Sequence, residues 1–280
     1  SAACTSIATS VANLPSRFAE YEVEKDLVFD ATQGLALDVY RPVDENGPRP
    51  VVVFWHGGGW DNGSKDQYLF VGEALVSLGY VAVVPSYRLY PNVQFPAFVD
   101  DAATAVAWVR KNIERYGGDP DQLWLMGHSA GAHIAALLAF DERYLAAAGV
   151  PRCALSGFIG LAGPYDFLPF GSDRLRAIFA PAAEPELTQP VTFVDGSEPP
   201  ALLLHGEQDE RVLPRNSRRL ATRIREQGGT VFESYYPDLD HAGIVASLTR
   251  YFRDDREVLE RVGEFIESCG GGSTECERGC

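Results

Sequence analysis

The sequence is poor in positive charge. It has 24 lysines and arginines against 39 aspartates and glutamates, which gives a formal net charge of −15. Proteins that bind nucleic acid or anionic membrane surfaces carry basic patches, so this balance argues against both kinds of partner. The sequence also lacks an apolar stretch long enough to span a bilayer. The charge balance favours a neutral or cationic small-molecule substrate.

Cysteine is scarce and lies mostly near the ends of the chain, at Cys4, Cys153, Cys269, Cys276 and Cys280. The spacing of the last three matches no common zinc pattern and no histidine lies nearby, so no metal is expected. An oxidising compartment would pair two of these three, or join the tail to Cys4. Both pairings stay open, and the odd total leaves one cysteine unpaired.

The first residues, Ser1-Ala2-Ala3-Cys4, leave the compartment open. Small residues before a cysteine occur in the remnant of a bacterial lipoprotein signal, in which Cys4 would carry a lipid anchor. The same start fits a trimmed secretory signal or an arbitrary starting point. Together with the cysteine-rich tail, it favours the cell envelope, the periplasm or secretion, with the cytoplasm as the alternative. The sequence does not decide between a monomer and a homodimer.

Strand patterns alternate with helix patterns along the middle of the chain. The sequence predicts an opening hairpin of strands 25–30 and 35–40 and further strands at 51–55, 80–84, 123–126, 158–161, 201–204 and 231–236. It predicts helices at 73–78, 96–116, 215–227 and 256–267. Strands that alternate with helices predict a mostly parallel α/β sheet that is covered on both faces.

A G-x-S-x-G motif, Gly127-His128-Ser129-Ala130-Gly131, follows the predicted strand 123–126. The residues after it, 132–139, form helices readily. A strand, a sharp turn and then a helix is the context that a nucleophile elbow requires. The glycines remove side chains that would collide in the tight turn, so Ser129 is predicted to be an exposed nucleophile.

A serine nucleophile needs a general base and a third group that orients the base. His241, just past the strand 231–236, is the predicted base, and Asp209, just past the strand 201–204, is the predicted acid. Asp240 is a weaker candidate acid because sequence neighbours rarely face each other correctly, and Glu207 is weaker still. The remaining histidines are interpreted as packed or loop-bracing residues: His56, His128, His133 and His205.

The segment 56–60, His-Gly-Gly-Gly-Trp, follows the buried strand 51–55. Its glycines let backbone N–H groups approach a substrate oxygen without interference from side chains. Gly58, Gly59 and Ala130 are the predicted donors of an oxyanion hole, with Gly57 as the alternative donor. One such donor is typically worth about 3 kcal/mol of the reaction barrier.

The chain is predicted to form one α/β domain at residues 21–267, between an N-terminal arm at 1–20 and a flexible, cysteine-containing tail at 268–280. The stretch 164–200 is irregular and rich in Pro, Gly and Ser, so it is predicted to be a short cap over the site. The candidate substrate-binding residues are Trp60, Tyr165 and Phe167, although plain packing is an equally good interpretation of these aromatic residues.

These motifs resemble those of α/β-hydrolase carboxylesterases, close to the hormone-sensitive-lipase type. They are more similar still to bacterial esterases grouped with feruloyl esterases, kynurenine formamidases and isoprenylcysteine methylesterases. The resemblance covers roughly residues 22–267 and rests on segments 56–65, 116–120, 127–131 and 205–212 and on His241. It implies the α/β-hydrolase fold, a mostly parallel eight-stranded sheet flanked by helices. His128, where many hormone-sensitive-lipase relatives have Asp, and the short cap depart from that type.

The sequence therefore predicts a serine carboxylic-ester hydrolase that acts without a cofactor on short-chain or small aryl-acyl esters. Ser129, His241 and Asp209 would carry out the reaction. A formamidase, such as an N-formylkynurenine formamidase, is an open alternative because it shares the nucleophile chemistry. A non-catalytic binding module on the same fold is a second alternative, but such modules usually lose the serine, the histidine or the acid.

Overall fold

Eight strands form one sheet in a computed structural model that describes residues 12–14, 16, 19–44 and 46–270. The strands are β1 (Glu22–Asp30), β2 (Leu35–Arg41), β3 (Arg49–Trp55), β4 (Val81–Pro85), β5 (Gly118–His128), β6 (Leu155–Leu161), β7 (Ala201–Gly206) and β8 (Val231–Tyr236). Their order across the sheet is β1-β2-β4-β3-β5-β6-β7-β8. Strands β1 and β2 pair in antiparallel fashion, as do β2 and β4, and all other neighbours are parallel.

Helices cover both faces of this sheet. They are α1 (Leu69–Ser77), α2 (Ala97–Asn112), α3 (Ala130–Phe140), α4 (Glu142–Ala147), α5 (Asp173–Phe179), α6 (Arg215–Glu226), α7 (Gly243–Ala246), α8 (Arg253–Arg256) and α9 (Val258–Gly270). Within the described ranges, no helix combines the length and apolar character that crossing a membrane would need.

The central strand β3 shows how the core is divided. Val51, Val53 and Trp55 pack on one face with residues of α2, α3 and α6, whereas Val52 and Phe54 pack on the other face with α1 and α9. Because successive side chains of a strand point to opposite faces, a strand buried on both faces must be apolar throughout. The predicted doubly covered, mostly parallel sheet is confirmed.

The ends of some helices differ from the sequence prediction. The predicted helix 96–116 is α-helical only to Asn112 and continues as a 3-10 turn to Tyr116, where Gly117 ends it in a left-handed conformation with φ of 77°. The last helix begins at Val258 rather than at 256, because Glu257 is left-handed. It also continues to Gly270, so residues 268–270 are helical and do not belong to the predicted flexible tail.

Burial of the Cys269 side chain in the core holds the end of the last helix in place. Cys269 is also disulfide-bonded. Cys153 has a free thiol. Cys4, Cys276 and Cys280 lie outside the described residues, as does most of the predicted N-terminal arm.

The described residues of that arm pack against the start of α1. The side chain of Asn13 donates a hydrogen bond to the carbonyl oxygen of Gln67 (3.1 Å) and accepts one from the N–H of Phe70 (3.0 Å). The hydroxyl of Ser16 donates to Glu73 (3.4 Å). Asn13 and Ser16 are both buried, so this part of the arm belongs to the folded domain.

Candidate active site

Ser129 lies at the turn between β5 and α3. Its backbone has φ of 56° and ψ of −120°. A non-glycine residue seldom adopts a positive φ, and it does so chiefly where the surrounding structure enforces it at functional sites. Here the N–H of Ser129 donates to Leu161 (2.9 Å), and its carbonyl oxygen accepts from His133 (3.1 Å). The turn therefore has the geometry of the predicted nucleophile elbow.

Glycine is required at position 131 by the close approach of another strand. A Cβ atom placed on Gly131 would lie 2.0 Å from the carbonyl oxygen of Trp55, at the end of β3. This obstacle is backbone, so it cannot swing aside as a flexible side chain would. The elbow thus packs directly against the strand that leads into the glycine-rich loop.

Replacing Gly131 with alanine should lower the free energy of unfolding by about 3 kcal/mol, because the added methyl group forces β3 and the elbow apart. Gly171→Ala is the matched control, since a Cβ there meets no atom within 4 Å. Urea unfolding of both variants and the wild type measures the difference. Equal midpoints for the two variants would show that the elbow tolerates the methyl group.

Three predicted side chains meet at the carboxyl ends of the strands. The Nε2 atom of His241 lies 2.9 Å from Oγ of Ser129, and its Nδ1 lies 2.7 Å from Oδ2 of Asp209. The other oxygen of Asp209 accepts hydrogen bonds from the backbone N–H groups of Arg211 and Val212, both at 2.9 Å. The carboxylate is therefore oriented by its own loop before it contacts the histidine.

A second histidine also contacts this carboxylate. Nε2 of His205 lies 3.2 Å from Oδ2 of Asp209 and 2.8 Å from the carbonyl oxygen of Val212, while its Nδ1 lies 2.8 Å from Oγ of Ser217. Burial opposes ionisation of Asp209, but the hydrogen bonds from His205 and His241 and from the N–H of Val212 outweigh it and lower its pKa. Asp209 is thus a buried anion facing His241.

The two alternative acids contact other groups. Asp240 accepts a hydrogen bond from the N–H of Gly243 (2.7 Å), at the start of α7. Glu207 pairs with Arg218. Asp209 is therefore the acid that the structure brings to His241.

The side chains of His56 and His133 are buried and contact groups other than Ser129. His56 contacts the carbonyl oxygen of Gly57 (2.7 Å), and His133 contacts that of Thr188 (2.8 Å). Burial lowers the pKa of each histidine to about 4. Both are therefore neutral near pH 7, as expected for packed histidines that brace loops.

The glycine-rich loop after β3 offers backbone donors near Ser129. Gly58 has φ of 133°, and a Cβ there would lie 2.0 Å from the carbonyl oxygen of Asn62, so only glycine fits this turn. Among the described residues, the N–H groups of Gly58 and Gly59 donate no hydrogen bond to another backbone group. The N–H of Ala130 lies at the start of α3, where helices leave donors unpaired.

A buried lysine anchors the far end of this loop. The ammonium group of Lys65 contacts Asp26 (2.7 Å), Asp38 (2.7 Å) and Asp66 (3.0 Å). Burial alone would lower the pKa of Lys65, but the hydrogen bonds that its ammonium group donates to these carboxylates raise the pKa above the usual range. Lys65 is therefore charged, and it ties the loop to β1 and β2. Sequence reasoning did not identify this role, because its partners lie on distant strands.

A cleft of about 610 Å³ opens beside Ser129 and His241. Its apolar lining comes from Ala12, Tyr68, Phe70, Val245 and Ala246, and its polar lining includes Gln208, Glu210, Arg211 and Asp240. Sequence reasoning missed these residues, because they come from separate segments that share no motif.

The three residues of the predicted aromatic pocket lie outside this cleft. Tyr165 is fully buried in the core, and Trp60 is only 4% exposed. The indole N–H of Trp60 donates to His133 (3.3 Å), and its ring packs against Phe167 (5.9 Å between centroids) and Phe179 (5.0 Å). None of the three predicted residues lines the cleft, because the short cap folds down and its rings fill the space beside Trp60.

Together these groups can support acyl transfer. The site provides a hydroxyl nucleophile, a base within hydrogen-bond distance of it, a buried anion on the other nitrogen of the base, and backbone donors nearby. The part of the chain that the structure describes contains no group of three His, Cys, Asp or Glu side chains arranged to hold a metal ion.

Comparison with known proteins shows that the chain is similar to esterases. The family model BD-FAE matches residues 37–224. Esterase LipQ of Mycobacterium tuberculosis is 32% identical over 251 residues, which are 82% of this chain and 58% of LipQ. A probable isoprenylcysteine alpha-carbonyl methylesterase of Arabidopsis thaliana is 30% identical over 245 residues, which are 79% of this chain and 51% of that protein. The chain thus spans between half and three-fifths of the length of these relatives.

Solved structures show the same fold. An esterase from Pyrobaculum calidifontis superimposes with a TM-score of 0.78 at 22% identity, covering 96% of this chain and 92% of that chain. Thermogutta terrifontis esterase 2 gives a TM-score of 0.74 at 25% identity, covering 90% and 95%. Because the Pyrobaculum calidifontis esterase is only 22% identical to this chain, its similarity supports the fold alone.

Proposed function

Because the chain belongs to the BD-FAE family and has the α/β-hydrolase fold, we propose that it is a serine carboxylesterase for short-chain or small aryl-acyl esters. The observation that carries the proposal is the hydrogen-bonded series from Ser129 through His241 to Asp209. Relatives named as an esterase and a methylesterase support the same reaction class.

The reaction begins with attack of Ser129 Oγ on the ester carbonyl carbon while Nε2 of His241 accepts the hydroxyl proton. The carbonyl oxygen becomes an oxyanion, which the N–H groups of Gly58, Gly59 and Ala130 stabilise. His241 then returns the proton to the leaving alcohol, and the acyl group remains on Ser129. Water, deprotonated by His241, attacks this acyl-enzyme and releases the carboxylic acid and the free serine.

The shape of the site limits the substrate. The aromatic rings around Trp60 fill the space below the cap, so the bulk of the substrate must occupy the cleft beside Ser129 and His241. Its volume of about 610 Å³ is within the range of small-molecule sites. The cleft has two carboxylates, Glu210 and Asp240, against one guanidinium group, Arg211, and this net negative charge disfavours anionic substrates. A small, uncharged ester meets these conditions.

The test is hydrolysis of p-nitrophenyl acetate, butyrate and octanoate, of a ferulate ester, and of N-formylkynurenine. We expect the highest kcat/KM on the acetate or butyrate ester, and lower values on octanoate and on the formamide. A preference for N-formylkynurenine over all esters would instead establish the formamidase.

A serine-reactive phosphonate separates an enzyme from a binding module. We expect stoichiometric labelling, which mass spectrometry of the peptides should locate at Ser129. A chain that takes up no label and hydrolyses no substrate of the panel would be a binding module on a hydrolase fold.

A further inference from the structure

His128 lies between the two loops that meet at Ser129. It is the last residue of β5, and the residue is only 6% exposed. Its Nε2 lies 2.9 Å from the main-chain carbonyl oxygen of His241, and the two imidazole rings are 4.9 Å apart between centroids. On the other side, a Cβ built on Gly57 would lie 2.9 Å from Nδ1 of His128.

The partner of Nε2 determines where the proton of His128 resides. A carbonyl oxygen only accepts hydrogen bonds, so Nε2 must carry the hydrogen and Nδ1 must be a bare acceptor. This Nδ1 is buried and has no hydrogen-bond partner among the described residues. Burial and the nearby His241 ring, with a smaller contribution from His205, lower the pKa of His128 to about 3, against the hydrogen bond to the main chain of His241 and the attraction of Asp209. The ring is therefore neutral at working pH.

The contact with His128 holds the main chain of His241, which Ser129 and Asp209 do not contact through their side chains. Asp209 and Ser129 contact the two ring nitrogens of His241, which sets the orientation of its ring. His128 contacts its main chain instead, on the loop between β8 and α7. Movement of this loop would carry the base away from Ser129 even if the carboxylate stayed in place.

We infer that His128 is a positioning residue: it donates a hydrogen bond to the main chain of His241 and thereby holds the base at the nucleophile. The inference rests on the proposed esterase activity. Because the ring lies 4.9 Å from that of His241, its neutrality also matters. A charged group in its place would change the protonation of the base through the Coulomb interaction.

Three substitutions separate these effects. In His128→Gln the amide nitrogen is as many bonds from Cα as Nε2 is, so it keeps a donor within reach of the carbonyl oxygen. In His128→Asn the same amide group is one bond shorter and falls short. His128→Glu has the shape of the glutamine variant but presents a charged acceptor to the carbonyl oxygen of His241.

We expect the glutamine variant to retain at least about a third of wild-type kcat on p-nitrophenyl acetate, and the asparagine variant to lose about 10- to 100-fold in kcat with little change in KM. The glutamate variant should lose as much, and the acid limb of its kcat/KM profile should move up by about one pH unit. The rescue by glutamine and the loss of kcat with little change in KM are effects that a purely structural role would not produce.

The proposal is overturned if asparagine and glutamine behave alike, or if the glutamate variant keeps the kcat of the glutamine variant. If urea titrations show that the asparagine variant does not fold, the comparison of kcat between the glutamine and glutamate variants tests the proposal, because these two side chains have the same shape. Wild-type protein with no ester activity would refute the proposed function itself. If the wild type is active and the His128 variants keep its kcat, only the role of His128 is refuted.

Discussion

Ser129→Ala should lower kcat on p-nitrophenyl acetate by about a million-fold, to the level that the remaining site achieves by binding alone. Removing Oγ leaves His241 without the group that it deprotonates, and no acyl-enzyme can form. The change removes one buried oxygen atom, so the fold and KM should change little. Initial rates at high protein concentration measure the loss of kcat. Phosphonate labelling then shows whether the nucleophile has been removed.

Ser197→Ala is the matched control, because Ser197 is exposed and contacts Arg152 and Asp195, away from the cleft. It should keep wild-type activity. Residual activity of Ser129→Ala above about 1% of wild type would mean that another nucleophile carries the reaction, since Ser129 is the only residue assigned to attack.

The strands of the sheet were predictable where the apolar or alternating pattern of one segment is enough to indicate a strand. The hairpin of β1 and β2 and the apolar strand β3 form at the predicted segments, although β1 begins three residues and β3 two residues before the predicted start. Helix α1 begins at Leu69, four residues before its predicted start at 73. The reason is burial: residues 69–76 are all buried, so they show no alternation of apolar and polar faces. Strand β5 likewise begins at Gly118, because this turn-like, polar segment pairs with Arg49 of β3.

The meeting of Ser129, Asp209 and His241 was predictable because each follows a strand of one parallel sheet. The carboxyl ends of such strands share one edge, so residues far apart in sequence are expected to meet there. The family match and the esterase relatives confirm the resemblance that these motifs indicate.

The cleft was not predictable by this reasoning. Ala12 lines it only because Asn13 pins the N-terminal segment to the start of α1. An aromatic residue beside a loop can lie in the core or line a pocket, and the sequence alone does not distinguish the two positions. The packing of the surrounding residues determines which position it takes. For Tyr165 packing decides for the core, where its ring contacts Phe158 at 6.1 Å between centroids.

Asp209→Asn should lower kcat by about ten-thousand-fold. All four groups that contact the carboxylate are donors: the N–H groups of Arg211 and Val212 on one oxygen, and His205 and His241 on the other. An asparagine must therefore turn its NH2 group toward one pair. If the NH2 group faces His241, Nδ1 of His241 must accept its hydrogen bond. The hydrogen of the His241 ring then lies on Nε2, toward the serine, and the ring no longer acts as a base.

Glu207→Gln is the control, because Glu207 pairs with Arg218 on the surface, and it should keep kcat within about two-fold of wild type. An Asp209→Asn variant with more than about a tenth of wild-type kcat would show that the carboxylate is not needed to orient the base.

The same substitution should also make the stability of the protein less dependent on pH. Because the pKa of Asp209 is lowered in the folded state, its ionised form stabilises the fold. That contribution is fully present above the unfolded-state pKa of about 3.9 and is lost as the pH falls through the lower folded-state pKa. The unfolding free energies of wild type and Asp209→Asn should therefore differ by about 2 kcal/mol at pH 7, and the difference should be smaller at about pH 3, where the carboxyl group of the unfolded chain is already mostly protonated. Urea titrations at both pH values measure this difference, and a gap that is equal at the two would show that Asp209 acts through shape rather than charge.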